Sequence, residues 1–123
     1  MMNYDYDIVR QPLHQGLDKI SIASAKKLGD PSYFNRTLCS VNETAVRISV
    51  FLGEFHWHAH ENEDEFFFVL EGELELEIEG QDPIILKPQE GVVVPRGVRH
   101  CPKAPGGVVL LMVEPTAVVS TGN

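Results

Sequence analysis

His56-Trp57-His58-Ala59-His60-Glu61-Asn62-Glu63-Asp64-Glu65-Phe66-Phe67-Phe68-Val69-Leu70-Glu71-Gly72 is the stretch on which the reading of this chain turns. Three histidines alternate with other residues, and on a β-strand, where side chains switch faces at every step, all three share one face. Same-face positions lie about 6.6 to 7 Å apart, close enough for imidazoles to lean together onto one ion. The polar run Glu61 to Asp64 suits a hairpin connection, which returns the chain so that Glu65 opens the next strand beside His58 and His60. Phe67 and Val69 share the face of Glu65 and continue an apolar wall below it.

Outward from this stretch the period of two persists. Val46, Ile48, Val50 and Leu52 alternate with Arg47, Ser49 and Phe51 until Gly53 closes the run. Leu74, Leu76 and Ile78 alternate with Glu73, Glu75, Glu77 and Glu79, the pattern of a strand with one solvated face. Phe66 to Leu70 is apolar throughout and predicts a strand covered on both sides. Further short strands follow at Ile84 to Lys87, Val92 to Val94 and Val108 to Glu114, separated by Pro and Gly. Such spacing predicts an all-β sandwich or barrel over residues 35–114. Residues 1–34 read as an N-terminal extension whose one helix starts at Ser21, runs through Ala23 and Ala25 to Leu28, and stops at Gly29. Residues 1–16 show no period and are expected to run over the surface or pair with a partner chain. Residues 115–123 read as an extended C-terminal tail.

A fourth candidate ligand ends Pro95-Arg96-Gly97-Val98-Arg99-His100, where Pro and Gly place a turn that can aim His100 into the barrel. Imidazoles with one carboxylate suit a divalent transition metal: Fe, Mn, Ni, Co, Cu or Zn. Four protein ligands in an octahedral shell leave two positions for a small molecule. Either half of the pattern alone has an ordinary explanation, an exposed His-x-His or a solvated acidic hairpin tip. Their joint spacing is the stronger signal.

His58-x-His60, four residues, Glu65, six residues and Gly72 resemble the first cupin motif, and Pro95-x-Gly97-x-x-His100 resembles the core of the second. The resemblance implies a double-stranded β-helix, the cupin jelly roll, with His58, His60, Glu65 and His100 as metal ligands on its inner wall. Trp57 to Phe68 is further similar to small single-domain cupins of the mannose-6-phosphate isomerase-like group. Gln89 stands where the family usually has a glycine, and Ala104 where it often has asparagine. His56 is expected to be a neighbouring pocket residue, with a fifth ligand as the alternative. Phe67 and Leu76 are expected in the pocket wall. Arg47, Arg96 and Arg99 could bind an acidic substrate, but charge on a solvated rim is their expected role.

Composition narrows the function. The 123 residues carry 18 acids against 10 bases, a formal charge of −8, and residues 54–79 hold ten acids with no Lys or Arg. A phosphate backbone would be repelled there, which argues against nucleic acid. No apolar run approaches the length of a membrane span and no leader is visible, so a soluble, cytoplasmic protein is expected. Cys39 and Cys101 are expected to be small buried residues; Cys101 and His100 point to opposite faces of a strand and cannot act as a pair. The expected activity is binding of, or action on, a small oxygen-bearing molecule, of dioxygenase or isomerase type, with a non-catalytic ligand-binding module as the alternative. Phe66, Phe68 and Leu70, opposite Glu65, lead to an expected homodimer packed sheet to sheet, unless the N-terminal extension covers them.

Overall fold

The computed structural model describes residues 6–122. Its elements in chain order are β1 (Ile8–Val9), α1 (Ile22–Ala25), β2 (Tyr33–Val41), β3 (Thr44–Glu54), β4 (Glu65–Gly72), β5 (Leu74–Ile78), β6 (Ile84–Leu86), β7 (Gly91–Val94) and β8 (His100–Pro115). The main sheet runs β1-β2-β3-β8-β4-β7, and β5 joins it by pairing with β8 and with β6. All pairings are antiparallel except that of β1 with β2. This is the double-stranded β-helix expected of the sequence, with a minor N-terminal helix.

β8 is the shared strand. His100 to Lys103 pair with β5, Val108 to Val113 with β4, and from Lys103 to Pro115 the strand pairs with β3. The Gly106-Gly107 step inside it lets the backbone of Gly72 approach closely. Gly72 has φ +81°, and a Cβ there would overlap the carbonyl oxygen of Gly107; only glycine meets both demands.

Alternation sorts the side chains into two layers. Phe51, Phe67, Val69, Leu74, Leu76 and Leu110 belong to the core inside the barrel. Phe34, Leu38, Ile48, Val50 and Val109 form a second core on the outer face of the β2-β3-β8 sheet, and Ile20, Ile22 and Ala25 of the N-terminal extension pack on it. Full burial of a side chain such as Phe34, 0% exposed, stabilises by about 1.5–3 kcal/mol. The apolar face of β3 therefore looks outward beneath the extension, and its Arg47-Ser49-Phe51 face looks into the barrel.

The extension differs in detail from the sequence reading. Ser21 does cap the helix, accepting from the Ser24 N–H at 3.3 Å, but α1 ends at Ala25, because the chain turns to bring Phe34 under Gly29. β1 pairs with β2 of its own chain, Ile8 opposite Asn35. Phe66 and Phe68, on the outer face of β4, are only half-buried, while Leu70 joins the outer core. The last residues turn back on the barrel: Val118 is fully buried, and its N–H donates to the Pro115 carbonyl at 3.0 Å.

Candidate metal centre

The first three candidate ligands sit where β3 gives way to β4. After Glu54 the chain leaves regular pairing, and His58 forms an isolated antiparallel bridge to His100 at the start of β8, with backbone bonds of 3.0 and 2.9 Å between them. The Gly97 N–H donates to the His60 carbonyl at 2.8 Å, and the Arg96 N–H to Asp64 Oδ1 at 2.9 Å. Two segments distant in sequence are thus tied backbone to backbone around one point.

At that point His58, His60, Glu65 and His100, all buried, each offer a ligand atom, and these atoms lie within 4.8 Å of one another. Glu65 Oε1 is 3.4 Å from His60 Nε2 and 3.5 Å from His100 Nε2. His58 Nδ1 donates to the His56 carbonyl and His100 Nδ1 to the Val98 carbonyl, each at 2.9 Å. These bonds fix the tautomer and leave Nε2 of both rings as the lone-pair donor, the arrangement typical of metal-bound imidazole. His60 Nε2, His100 Nε2 and Glu65 Oε1 are buried without a hydrogen-bond partner. Orphaned polar atoms are costly inside a protein, and a divalent cation satisfies all three at once. The donor set fits such an ion.

The electrostatics agree. Burial, with the neighbouring His100, lowers the His58 imidazole to about 3, so it is neutral and able to donate its lone pair. Burial alone would raise Glu65, but the adjacent Glu114, His100 and His60 outweigh it and hold the carboxyl ionised, well below its ordinary range. Glu114 moves the other way: burial raises it, and the neighbouring Glu65 carboxylate adds to the effect.

The remaining candidates fall in different places. His56 Nε2 donates to the Thr121 carbonyl at 2.6 Å and its Nδ1 lies 3.2 Å from the Tyr6 hydroxyl. Both ring nitrogens thus face Thr121 and Tyr6, with the His56 ring 5.0 Å from that of His58 between centroids. Phe67, 2% exposed, packs edge-on to His100 at 6.0 Å between centroids. Leu76 lies in the inner core beside it. Arg96 and Arg99 are on the rim, paired with Asp64 and Glu79, and Arg99 lies over the Trp57 ring.

Arg47 corrects the expectation of a solvated charge. It is 2% exposed because its face of β3 is the barrel interior, and it pairs with Glu114 at 2.8 Å. Cys101 is buried, its Sγ donating to the Phe55 carbonyl at 3.1 Å, and burial together with Glu54 pushes its thiol up to about 12. Cys39 is only half-buried.

Several site neighbours escape sequence reading. A cavity of about 30 Å³ beside His58 and Glu65 is lined by Tyr33, Asn35, Ser49, Phe67, Met112 and Ser120, among others. The C-terminal residues cross it: Ser120 Oγ is buried there, and Gly122, φ +96°, lies so close that a Cβ would stand 2.8 Å from His58 Cβ. The one signal in the sequence was Glu114, an acid ending the apolar run Val108 to Val113.

The comparisons with known proteins agree with this geometry. The family model described as a cupin domain matches residues 52–114. The fold superposes with TM-score 0.73 on a cupin-2 domain containing protein from Shewanella frigidimarina, at 31% identity over 78% of this chain and 93% of that one. A protein from Neisseria meningitidis gives TM-score 0.72 at 20% identity, covering 80% and 99% of the two chains. A provisionally named mannose-6-phosphate isomerase from Ralstonia eutropha gives 0.61 at 23% identity, covering 71% and 87%. No curated protein matches the sequence. Fold, joint motif spacing and family match converge: the chain belongs to the cupins.

Proposed function

We propose that this protein is a metal-dependent cupin that holds one divalent transition metal on His58, His60, Glu65 and His100 and binds or acts on a small oxygen-bearing molecule beside it. The observation that carries the reading is the set of three buried, unpartnered donor atoms converging within one cluster. When bound, such a metal supplies Lewis acidity or a redox centre. The chain itself supplies three imidazoles and one carboxylate as ligands, an apolar wall at Phe67 that limits water, and polar groups at Tyr33, Asn35, Ser49 and Ser120 that can orient a ligand.

With the C-terminal residues in place the cavity of about 30 Å³ admits a water or a molecule of two or three heavy atoms, so a larger substrate, of dioxygenase or of isomerase type, needs those residues displaced. The same closure favours, as a second reading, a non-catalytic module that retains a small ligand without turnover. We also propose a homodimer, supported by the half-buried Phe66 and Phe68 beside exposed Val93 on the edge strand β7.

Elemental analysis of the purified protein is expected to give about one transition metal per chain, and the variant His58→Ala/His60→Ala to give none. Metal retained by that variant overturns the site. Oxygen uptake with small enediols, catechols or thiols supports an enzyme; saturable binding without uptake supports the module.

A further inference from the structure

The segment that follows β8 lies over the metal cluster and is held unevenly along its length. At its start the hold is strong. The Thr116 N–H donates to the Glu43 carbonyl at 2.8 Å. Two arginines share the next two acceptors: Arg10 NH2 donates to the carbonyls of Thr116 at 3.0 Å and Val118 at 3.3 Å, and the buried Arg47 donates to the same pair at 3.2 and 3.1 Å. Val118 itself is 0% exposed. Beyond it the hold weakens. Val119 is 41% exposed, the Gly122 N–H closes a turn on the Val119 carbonyl at 2.9 Å, and the Thr121 carbonyl accepts from His56 Nε2 at 2.6 Å. Ser120 Oγ, in the wall of the cavity beside His58 and Glu65, is buried with no hydrogen-bond partner among the described residues. Gly122, at φ +96°, rests so close that a Cβ would stand 2.8 Å from His58 Cβ and 3.1 Å from the Ala59 carbonyl oxygen.

These contacts divide the segment into an anchor and a flap. Main-chain carbonyls bonded to a buried guanidinium are hard to release, because both partners would give up charge-assisted hydrogen bonds. The Ser120 hydroxyl works the other way: closure takes it from water and returns no bond. Local opening draws on segments of this weakly held kind. We propose that residues 119–122 form a flap that swings about the clamped Val118 and sets which ligands reach the metal cluster. Closed, it leaves about 30 Å³ beside His58 and Glu65. Open, it admits a planar oxygen ligand of catechol size. Glycine at 122 is what permits closure, since a Cβ there meets His58 and the backbone of Ala59, and the left-handed φ disfavours any other residue. The selection of ligands by size rests on the metal-binding reading above; the unequal hold on the segment does not.

Azide and catechol serve as probes of the Co²⁺-loaded protein, each titrated against its visible spectrum. Azide is of the size that the closed cavity admits. Catechol binds wild type only with the flap open, so its affinity is reduced by the small open fraction. Gly122→Ala, which cannot close, is expected to bind catechol about 10-fold or more tightly than wild type and azide within about threefold of it, with an unchanged melting temperature. Equal catechol affinity in the two proteins overturns the proposal, as does an equal gain for azide. So does a variant that no longer folds, which makes residues 119–122 part of the core. Amide exchange followed by NMR in the metal-free wild type is a second readout: the Gly122 N–H is expected to exchange at least about 10-fold faster than those of Thr116 and Val118, and equal protection overturns the flap. If wild type takes up no more Co²⁺ than His58→Ala/His60→Ala, the metal reading itself fails, while the exchange contrast still decides the flap.

Discussion

His58 concentrates the physical chemistry of the site in one side chain. Its Nδ1–H is spent on the His56 carbonyl, its backbone is bridged to His100, and its imidazole is lowered from 6.5 to about 3. Glu65 is likewise lowered from 4.5. The unfolded chain therefore binds more protons than the folded one below those ordinary values, so both contributions are complete above them and are lost as pH falls. Between 4.5 and 6.5 the raised Glu114 acts in the opposite sense; below 4.5 it is protonated in both states and drops out. Urea unfolding of the metal-free protein is expected to show stability falling from pH 4.5 toward 3, with up to about 1.4 kcal/mol per pH unit from each of the two groups. A flat profile across that window would contradict the buried, neutral state assigned to His58.

Among elements, the turns set the register that brings the ligands together, and two of them predict opposite outcomes for similar changes. Gln89, between β6 and β7, has φ +69° while its N–H donates to the Val69 carbonyl at 2.8 Å. A left-handed conformation costs a residue with a Cβ about 1–2 kcal/mol, and glycine usually stands there in the family pattern. Gln89→Gly is expected to raise stability by about 0.5 kcal/mol after the entropy that glycine adds to the unfolded chain. Gly72→Ala, at φ +81° and against the Gly107 carbonyl, is expected to lower it by at least about 1–3 kcal/mol. Denaturant midpoints of the two variants measure both; a stabilised Gly72→Ala would refute the close approach of β4 to β8.

The molecule as a whole covers only part of its apolar surface within its own chain. The N-terminal extension covers the outer face of β2, β3 and β8 through Ile20, Ile22 and Ala25, and it leaves Phe66 and Phe68 half-buried. Light scattering at micromolar concentration is expected to give twice the monomer mass, and substitution of Phe66 and Phe68 by serine to shift it toward the monomer; a monomeric wild type would contradict the dimer. No helix among the described residues is long and apolar enough to cross a membrane.

The sequence by itself determined the four-residue cluster and the barrel, because both depend on short-range regularities: a side-chain period of two, turns marked by Pro and Gly, and fixed gaps between His58, His60 and Glu65 and within the turn before His100. It could not reveal which face of β3 is inside. Alternation is symmetric, and Ile48 and Val50 found their apolar cover in the extension, leaving Arg47 and Ser49 to the interior. Only the tertiary structure decided that Arg47 meets Glu114 behind Glu65, that Thr121 engages His56, and that Gly122 lies over His58. Those contacts join residues some 60 or more positions apart, and no local pattern of hydrophobicity or charge encodes a meeting set by the closure of the whole barrel.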